Sequence, residues 1–209
     1  MSNLAQAKFN MIEQQIRPWE VLDAQVLDVF DSIERVHFVP DQYKGLAYAD
    51  CQLPVVEGES MLPPVVEGRM LQALGLKPSD SVLEVGSGCG YITACLASLA
   101  DHVTSVDLHV QATEMASAKL QELDITNVEL QTISSLQDIT LTERYDVITI
   151  GAGSLKSIPQ NLKNALVIDG RLFAITGDSP AKQAQLITRV SQTEWKEETL
   201  FETDIPDIS

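Results

Sequence analysis

A stretch with three closely spaced glycines and a following acidic residue is the part of this sequence with the clearest potential for chemistry. Gly86, Gly88 and Gly90 follow an apolar run, and Asp107 ends the next apolar run along the chain. Glycines adopt positive φ values and let backbone N–H groups approach a ligand closely. An acid at the end of the second run can accept hydrogen bonds from both hydroxyls of a ribose. Residues 81–107 therefore predict a strand, glycine turn, helix and strand that bind a nucleotide-like molecule.

The spacing of these glycines excludes two common phosphate-binding loops. A G-x-G-x-x-G fingerprint would need its last glycine where Tyr91 stands, and no G-x-x-x-x-G-K-[ST] loop occurs in the sequence. The pattern E-V-G-x-G-x-G, which begins at Glu84, resembles motif I of the S-adenosyl-L-methionine (AdoMet)-dependent methyltransferases. That resemblance implies that the glycine loop holds the amino-acid end of AdoMet and that Asp107 holds its ribose. A glycine loop alone could also be a tight structural connection between a strand and a helix that binds no ligand.

The segments before the glycine unit predict helices separated by a long loop. Apolar residues recur at helical spacing over residues 5–16, and a second helix is predicted from Asp23. Residues 34–40 read E-R-V-H-F-V-P and are predicted to be extended up to the proline. Residues 46–69 are rich in proline and glycine, which is typical of binding or lid loops. A third helix is predicted to begin near Pro64, where a proline is tolerated in the first turn.

The second half of the chain alternates helical and strand patterns. A helix is predicted over residues 111–123, buried strands are predicted at 128–130, 145–150 and 172–175, and a closing strand is predicted at 199–203. This order indicates an α/β fold of the Rossmann-like AdoMet-dependent methyltransferase type, with a mostly parallel sheet, helices on both faces and an N-terminal helical arm. We predict one domain over residues 1–209. It consists of an arm with the active-site loop (1–76) and an AdoMet-binding core (77–209).

Composition restricts the setting and the partners of the protein. The chain has 209 residues and a net charge of −16, and such a field repels phosphate backbones, so no nucleic-acid partner is predicted. No apolar run approaches the roughly 20 residues that span a membrane, and the start lacks a signal-peptide layout. We therefore expect a soluble, cytoplasmic protein without a membrane partner. No cluster with metal-ligand spacing stands out, so no metal is predicted. The oligomeric state is left open.

Several motifs along the chain are similar to those of the protein-L-isoaspartate O-methyltransferase family. Upstream of the glycine loop these are VHFVP, AYAD, LPV and EGESMLPP, and VLEVGSGCGY, SVD, ITNVEL, RYDVITIGAG and DGRLFAITGD follow. The similarity runs from about Met11 to about Gly177. The upstream motifs carry it, because motif I is shared by many methyltransferases. The resemblance implies an enzyme that uses AdoMet to esterify the carboxylate of isoaspartyl residues in damaged proteins or peptides.

The resemblance also assigns residues of this chain to a site. Ser60 retains the hydroxyl at the family's threonine position in the active-site loop and is the predicted catalytic residue. The predicted cofactor-binding residues lie in motif I and after the following strands: Glu84, Gly86, Ser87, Gly88, Gly90, Asp107, Leu108, Ser134 and Gly151.

Some positions depart from the family pattern close to the expected chemistry. Leu62 stands in place of the active-site serine and cannot donate a hydrogen bond to a carboxylate, and Glu57 and Glu59 add negative charge to the same loop. Ser134 stands where the family has an acid that binds the adenine amino group, and residues 151–155 replace the family's V-T-A-A-P loop. Two alternatives follow from these changes. The enzyme could methylate a different acceptor, or the protein could be a catalytically inactive AdoMet-binding or scaffold protein.

Overall fold

The N-terminal part of the chain is largely helical, as its apolar spacing predicts. The computed structural model describes residues 3–56, 58–139 and 144–208. Helix α1 (Asn3–Asn10) continues into a π-helical turn (Met11–Ile16), and α2 (Ala24–Ser32) follows. The Asp23 carboxylate caps α2 by accepting hydrogen bonds from two N–H groups of its first turn.

Two segments of this part differ from their predictions. Residues 34–40 are not extended, because a 3₁₀ turn forms at Arg35–His37 and the N–H of Phe38 donates to the Arg35 carbonyl. The predicted loop contains a hairpin of β1 (Leu53–Val56) and β2 (Glu59–Met61), which pair antiparallel. The hairpin escaped prediction because its strands are short and carry proline and charged residues rather than an alternating apolar pattern.

The rest of the chain alternates strands and helices and then ends in an antiparallel hairpin. In chain order the elements are α3 (Pro64–Leu74), β3 (Ser81–Val85), α4 (Tyr91–Leu99), β4 (His102–Asp107), α5 (Val110–Glu122), β5 (Val128–Thr132), β6 (Tyr145–Leu155), α6 (Gln160–Ala165), β7 (Leu166–Thr176), β8 (Lys182–Arg189) and β9 (Trp195–Thr203). The strands β3 to β9 form one sheet in the order β5-β4-β3-β6-β7-β8-β9. The first five strands of that order are parallel, and β8 and β9 add to β7 antiparallel. The predicted mostly parallel α/β fold with an N-terminal helical arm is confirmed.

Alternate residues of the central strands face opposite sides of the sheet, and each side has its own buried cluster. On one side Val82 and Val147 pack in a cluster that includes residues of α2, α3 and α4. On the other side Leu83 and Ile148 pack in a cluster that includes Leu162 of α6. Because strands buried on both faces consist of continuous apolar runs, these segments could be recognised from sequence.

The order of the strands creates a crevice at one end of the sheet. From β3 the chain moves outward to β4 and β5 and then returns to β6 on the other side of β3. At such a reversal the connections leave a gap outside the carboxyl ends of the strands, where ligands bind in open α/β sheets. In the described part of the chain, no helix is both long and apolar enough to cross a membrane.

Candidate functional site

The glycine turn after β3 has a backbone shape that needs glycine. Gly86, Gly88 and Gly90 have φ values of +96°, +51° and +86°. A Cβ on Gly86 would also overlap the Cβ of Ala152, which lies directly against it. The N–H of Gly86 donates to the carbonyl of Val106 at 2.7 Å, so the turn is joined to the end of β4. The glycine loop therefore lies where the sequence predicts it, at the carboxyl ends of β3 and β4.

Asp107, the last residue of β4, links the glycine turn to the crevice. One carboxylate oxygen accepts hydrogen bonds from the Ser87 hydroxyl and the Gly88 N–H, both at 3.0 Å. The other accepts from the N–H of His109 at 2.9 Å. An ionised carboxylate has about four acceptor positions, so capacity remains for a ligand hydroxyl. Asp107 also lines a cavity in the crevice.

Glu84 lies beneath the glycine turn rather than in a cavity wall. It is fully buried, and one carboxyl oxygen accepts hydrogen bonds from the hydroxyls of Thr93 at 2.6 Å and Ser105 at 2.5 Å. Within the described residues, its other carboxyl oxygen has no hydrogen-bond partner. Burial raises the pKa of Glu84 to about 7. A contact between Glu84 and a cofactor stays a prediction.

Two adjoining cavities lie over the glycine turn. The first is lined by Glu59, Val85, Gly86, Val106, Asp107, Leu108, Ile133, Leu136, Ala152 and Ile208. The second is lined by residues that include Glu59, Ser60, Leu62, Glu67, Gly86, Ser87, Gly88, Gly151 and Ala152. Glu59, Gly86 and Ala152 line both cavities. These three residues therefore form the boundary between them.

Most of the predicted site residues are brought together by these cavities. Ser60, Ser87, Gly88 and Gly151 line the second cavity, Asp107 and Leu108 line the first, and Gly86 lines both. Ser134 is exposed after β5 and is absent from both linings among the described residues. Gly90 precedes α4 and packs close to the backbone of Ala116. The roles of Ser134 and Gly90 stay predictions.

Sequence reasoning missed most of the apolar residues of the first cavity, and four of them lie outside the β3 and β4 strand ends. Ile133 and Leu136 follow β5, Ala152 lies in β6, and Ile208 lies near the end of the chain. The order of the strands brings their segments together. One local signal could have identified part of this set. Ile133 and Leu136 are apolar and lie close to Ser134, the position where the family has its adenine-binding acid.

The loop after β2 is held by a buried ion pair that was also missed. Arg35 is 1% exposed, and its guanidinium contacts the Glu67 carboxylate and donates to the Leu62 carbonyl at 2.8 Å. The guanidinium also lies 5.0 Å from the ring centre of Tyr91. Burial opposes the charge of Arg35, but the Glu67 carboxylate outweighs it and raises the pKa above the usual value. A permanently charged Arg35 therefore fixes the backbone at Leu62, directly after the strand that carries Ser60.

Glu59 points its carboxyl into the crevice. It is 9% exposed, and burial together with the neighbouring Asp107 raises its pKa to about 8. One of its oxygens lies 3.8 Å from the Nε2 atom of His109. Of the two acids expected in this loop, Glu57 lies outside the described residues.

The C-terminal segment closes the first cavity from the side of β6. The expected loop at 151–155 is the last part of β6, with an irregular register between Thr149 and Ser154. Ser154 exchanges backbone hydrogen bonds with Pro206 and Ile208 at 2.9 and 3.0 Å. The buried Lys182 ammonium contacts the Ser154 hydroxyl and the Asp207 carboxylate at 2.7 and 2.8 Å. These contacts hold Ile208 in the cavity wall.

A glycine turn and a strand-end acid in the crevice of this sheet define the class of the protein, an AdoMet-dependent methyltransferase. Within that class, the family model of protein-L-isoaspartate(D-aspartate) O-methyltransferase (PCMT) matches residues 6–204. The chain belongs to the PCMT family. The family, the methyltransferase class and the AdoMet cofactor that the sequence predicts are confirmed.

Relatives and solved structures agree with this membership. The chain is 35% identical over 191 residues to a protein-L-isoaspartate O-methyltransferase of Rhodopseudomonas palustris, covering 91% of this chain and 87% of that protein. It is 33% identical to one of Petrotoga mobilis, over 90% and 88% of the two chains. A Plasmodium falciparum PCMT structure, in complex with S-adenosyl-L-homocysteine, superposes with a TM-score of 0.81 at 17% identity, over 100% and 99% of the two chains. That likeness shows the shared fold.

Proposed function

We propose that this protein transfers the methyl group of AdoMet to the carboxylate of L-isoaspartyl residues in proteins or peptides. Membership of the PCMT family supports this reaction. The observation that carries the proposal is the Asp107 carboxylate in a cavity that adjoins a second cavity lined by Ser60. The first cavity suits a nucleoside, and the second suits the amino-acid end of AdoMet beside the reacting group of an acceptor.

The residues around the first cavity have the chemistry that AdoMet needs. Asp107 retains acceptor capacity for ribose hydroxyls, and Ile133 and Leu136 provide apolar surface for an adenine ring. Polar backbone of the glycine turn, with the Ser87 hydroxyl, lines the second cavity and would hold the amino-acid end. The site therefore fits the cofactor of the family.

The methyl transfer requires correct positioning of the two reactants more than it requires proton transfer. When bound, AdoMet supplies an electrophilic methyl group. An isoaspartyl carboxylate is ionised at neutral pH and is already nucleophilic. The task left to this chain is to align the acceptor and to exclude water. Ser60, half-buried in the wall of the second cavity, can donate one hydrogen bond to the acceptor carboxylate.

A different acceptor is a second candidate, and Leu62 favours it. Leu62 is 3% exposed and presents an apolar side chain to the second cavity. A buried carboxylate without donors is costly, whereas a less polar acceptor would fit this wall. Both candidates retain the same cofactor site.

Leu62→Ser and its matched control Leu62→Ala test the first acceptor. Both changes shorten the side chain and leave a similar space, but only serine adds a hydroxyl. If an isoaspartyl carboxylate binds here, Leu62→Ser should methylate an isoaspartyl peptide roughly tenfold or more faster than Leu62→Ala, because hydrogen bonds to charged groups are worth about 1.5–3 kcal/mol. The measurement is kcat/KM for transfer of labelled methyl groups. Equal rates for the two variants would favour the second candidate.

A further inference from the structure

The Glu59 carboxyl lies where the two cavities meet. Glu59 opens β2, is largely buried and lines both cavities. One of its oxygens would be 3.8 Å from a Cβ placed on Gly88, so the side chain lies close to the glycine turn as well. A ligand that occupied both cavities would pass the boundary between them with its middle part. The Glu59 carboxyl would contact that part of the ligand.

No strongly basic side chain balances this acid within the site. In the part of the chain that the structure describes, neither cavity is lined by lysine or arginine. The titratable groups that face Glu59 are Asp107 and His109, whose Nε2 atom lies beyond hydrogen-bond distance. The remaining titratable residues of the second cavity do not supply free positive charge: Glu67 is paired with Arg35, and burial keeps Cys89 and Tyr91 neutral. A positively charged ligand atom beside Glu59 would therefore meet two acids and no competing lysine or arginine.

The covalent structure of AdoMet puts a positive charge at this boundary. Its sulfur joins the ribose to the amino-acid chain. A molecule with its ribose at Asp107 and its amino-acid end at the glycine turn therefore has its sulfur near Glu59. The sulfur is a cationic sulfonium in AdoMet and a neutral thioether in the product, S-adenosyl-L-homocysteine. The two molecules otherwise share the same charges.

We propose that Glu59 discriminates between AdoMet and its product, because the Glu59 carboxylate pairs with the sulfonium at the boundary of the two cavities and has no such partner in S-adenosyl-L-homocysteine. This inference rests on the proposed orientation of the cofactor. Methyl transfer removes the positive charge, so the product loses this attraction and leaves more readily. The Glu59 carboxyl, whose pKa burial and the neighbouring Asp107 raise to about 8, then takes up a proton from water until the next cofactor arrives.

Calorimetric titration with both ligands tests this role without an activity measurement. Glu59→Gln keeps the size of the side chain and removes its charge. The control is Glu114→Gln, which removes an exposed carboxylate of α5 outside both cavities. We expect Glu59→Gln to reduce the preference for AdoMet over S-adenosyl-L-homocysteine by roughly tenfold or more. Glu114→Gln should bind both ligands as the wild type does.

Proton release gives a second readout from the same titrations. At pH 7, in buffers that differ in ionisation enthalpy, AdoMet should displace more protons from the wild type than S-adenosyl-L-homocysteine does, and Glu59→Gln should lose that difference. An unchanged ratio of affinities in Glu59→Gln, or equal proton release with the two ligands, would overturn the inference alone. Failure of both AdoMet and S-adenosyl-L-homocysteine to bind the wild type would instead contradict the proposed cofactor site.

Discussion

At the scale of single residues, the Asp107 carboxylate both holds the glycine turn in place and forms part of the cavity wall. It accepts hydrogen bonds from Ser87, Gly88 and His109, and it lines the first cavity. Its position could be predicted, because an acid at the end of a strand after a glycine turn is a local pattern. Ile133 and Ile208 could not be assigned in this way, since distant segments of the chain bring them together.

Replacement of Asp107 by asparagine should weaken AdoMet binding. The amide retains the shape of the side chain but offers one acceptor oxygen without charge, so the proposed bonds to ribose hydroxyls would be lost or weakened. We expect Kd to rise roughly tenfold to a hundredfold, as measured by calorimetry. Asp101→Asn, at an exposed position before β4, is the matched control. An unchanged Kd in Asp107→Asn would show that the ribose lies elsewhere.

At the scale of elements, the turn between β3 and α4 and the Arg35 segment determine the shape of the site. The glycine turn was predictable from spacing alone. The 3₁₀ turn at Arg35–His37 was not, because Arg35 binds Glu67 of α3, and nothing in the local pattern reveals this ion pair. The extension of β6 past Ile150 was likewise missed, since its last residues are held by the C-terminal segment.

The glycine turn should not tolerate a methyl group at Gly86. Alanine there would combine a positive φ with an overlap against Ala152, so Gly86→Ala should lower the free energy of unfolding by at least ~2 kcal/mol and weaken AdoMet binding. Gly45→Ala is the control, because a Cβ on Gly45 meets no atom within 4 Å. The control should stay within about 1 kcal/mol of the wild type in urea unfolding. Equal stability of both variants would contradict the described turn.

The Arg35 ion pair should contribute strongly to stability. Arg35→Met leaves the Glu67 carboxylate buried without its partner and should cost about 3–5 kcal/mol of unfolding free energy. The double variant Arg35→Met, Glu67→Met should recover much of this loss, because no charge remains buried. Arg17→Met removes an exposed pair with Glu13 and should cost no more than about 0.5 kcal/mol. A double variant as unstable as Arg35→Met would argue against the pair.

At the scale of the whole molecule, arm and core share one buried cluster. Met11 and Phe30 of the arm belong to the same cluster as Val82 and Phe173 of the sheet. We therefore propose that residues 1–209 fold as one domain. The predicted division at residue 76 describes the parts of the site rather than separate folding units. The apolar runs of the strands could be recognised from sequence, whereas this shared packing depends on the tertiary arrangement.

The net charge of the molecule should make the rate of its reaction with charged peptides depend on salt concentration. With a net charge of −16, the protein repels an acidic peptide at low ionic strength, and added salt screens that repulsion. We expect kcat/KM for an acidic isoaspartyl peptide to rise between low and physiological ionic strength. The same peptide with flanking lysines should show the opposite trend. Identical salt profiles would mean that the long-range field does not affect acceptor binding.

Transfer of labelled methyl groups from AdoMet to an isoaspartyl peptide, beside its normal aspartyl twin, tests the central claim most directly. AdoMet binding is followed on the same sample by calorimetry. We expect binding together with label on the isoaspartyl peptide and none on its twin. Binding without label on either peptide would contradict the proposed acceptor and favour the second candidate. Absence of both binding and transfer would contradict the enzyme described here and leave an inactive relative of the family.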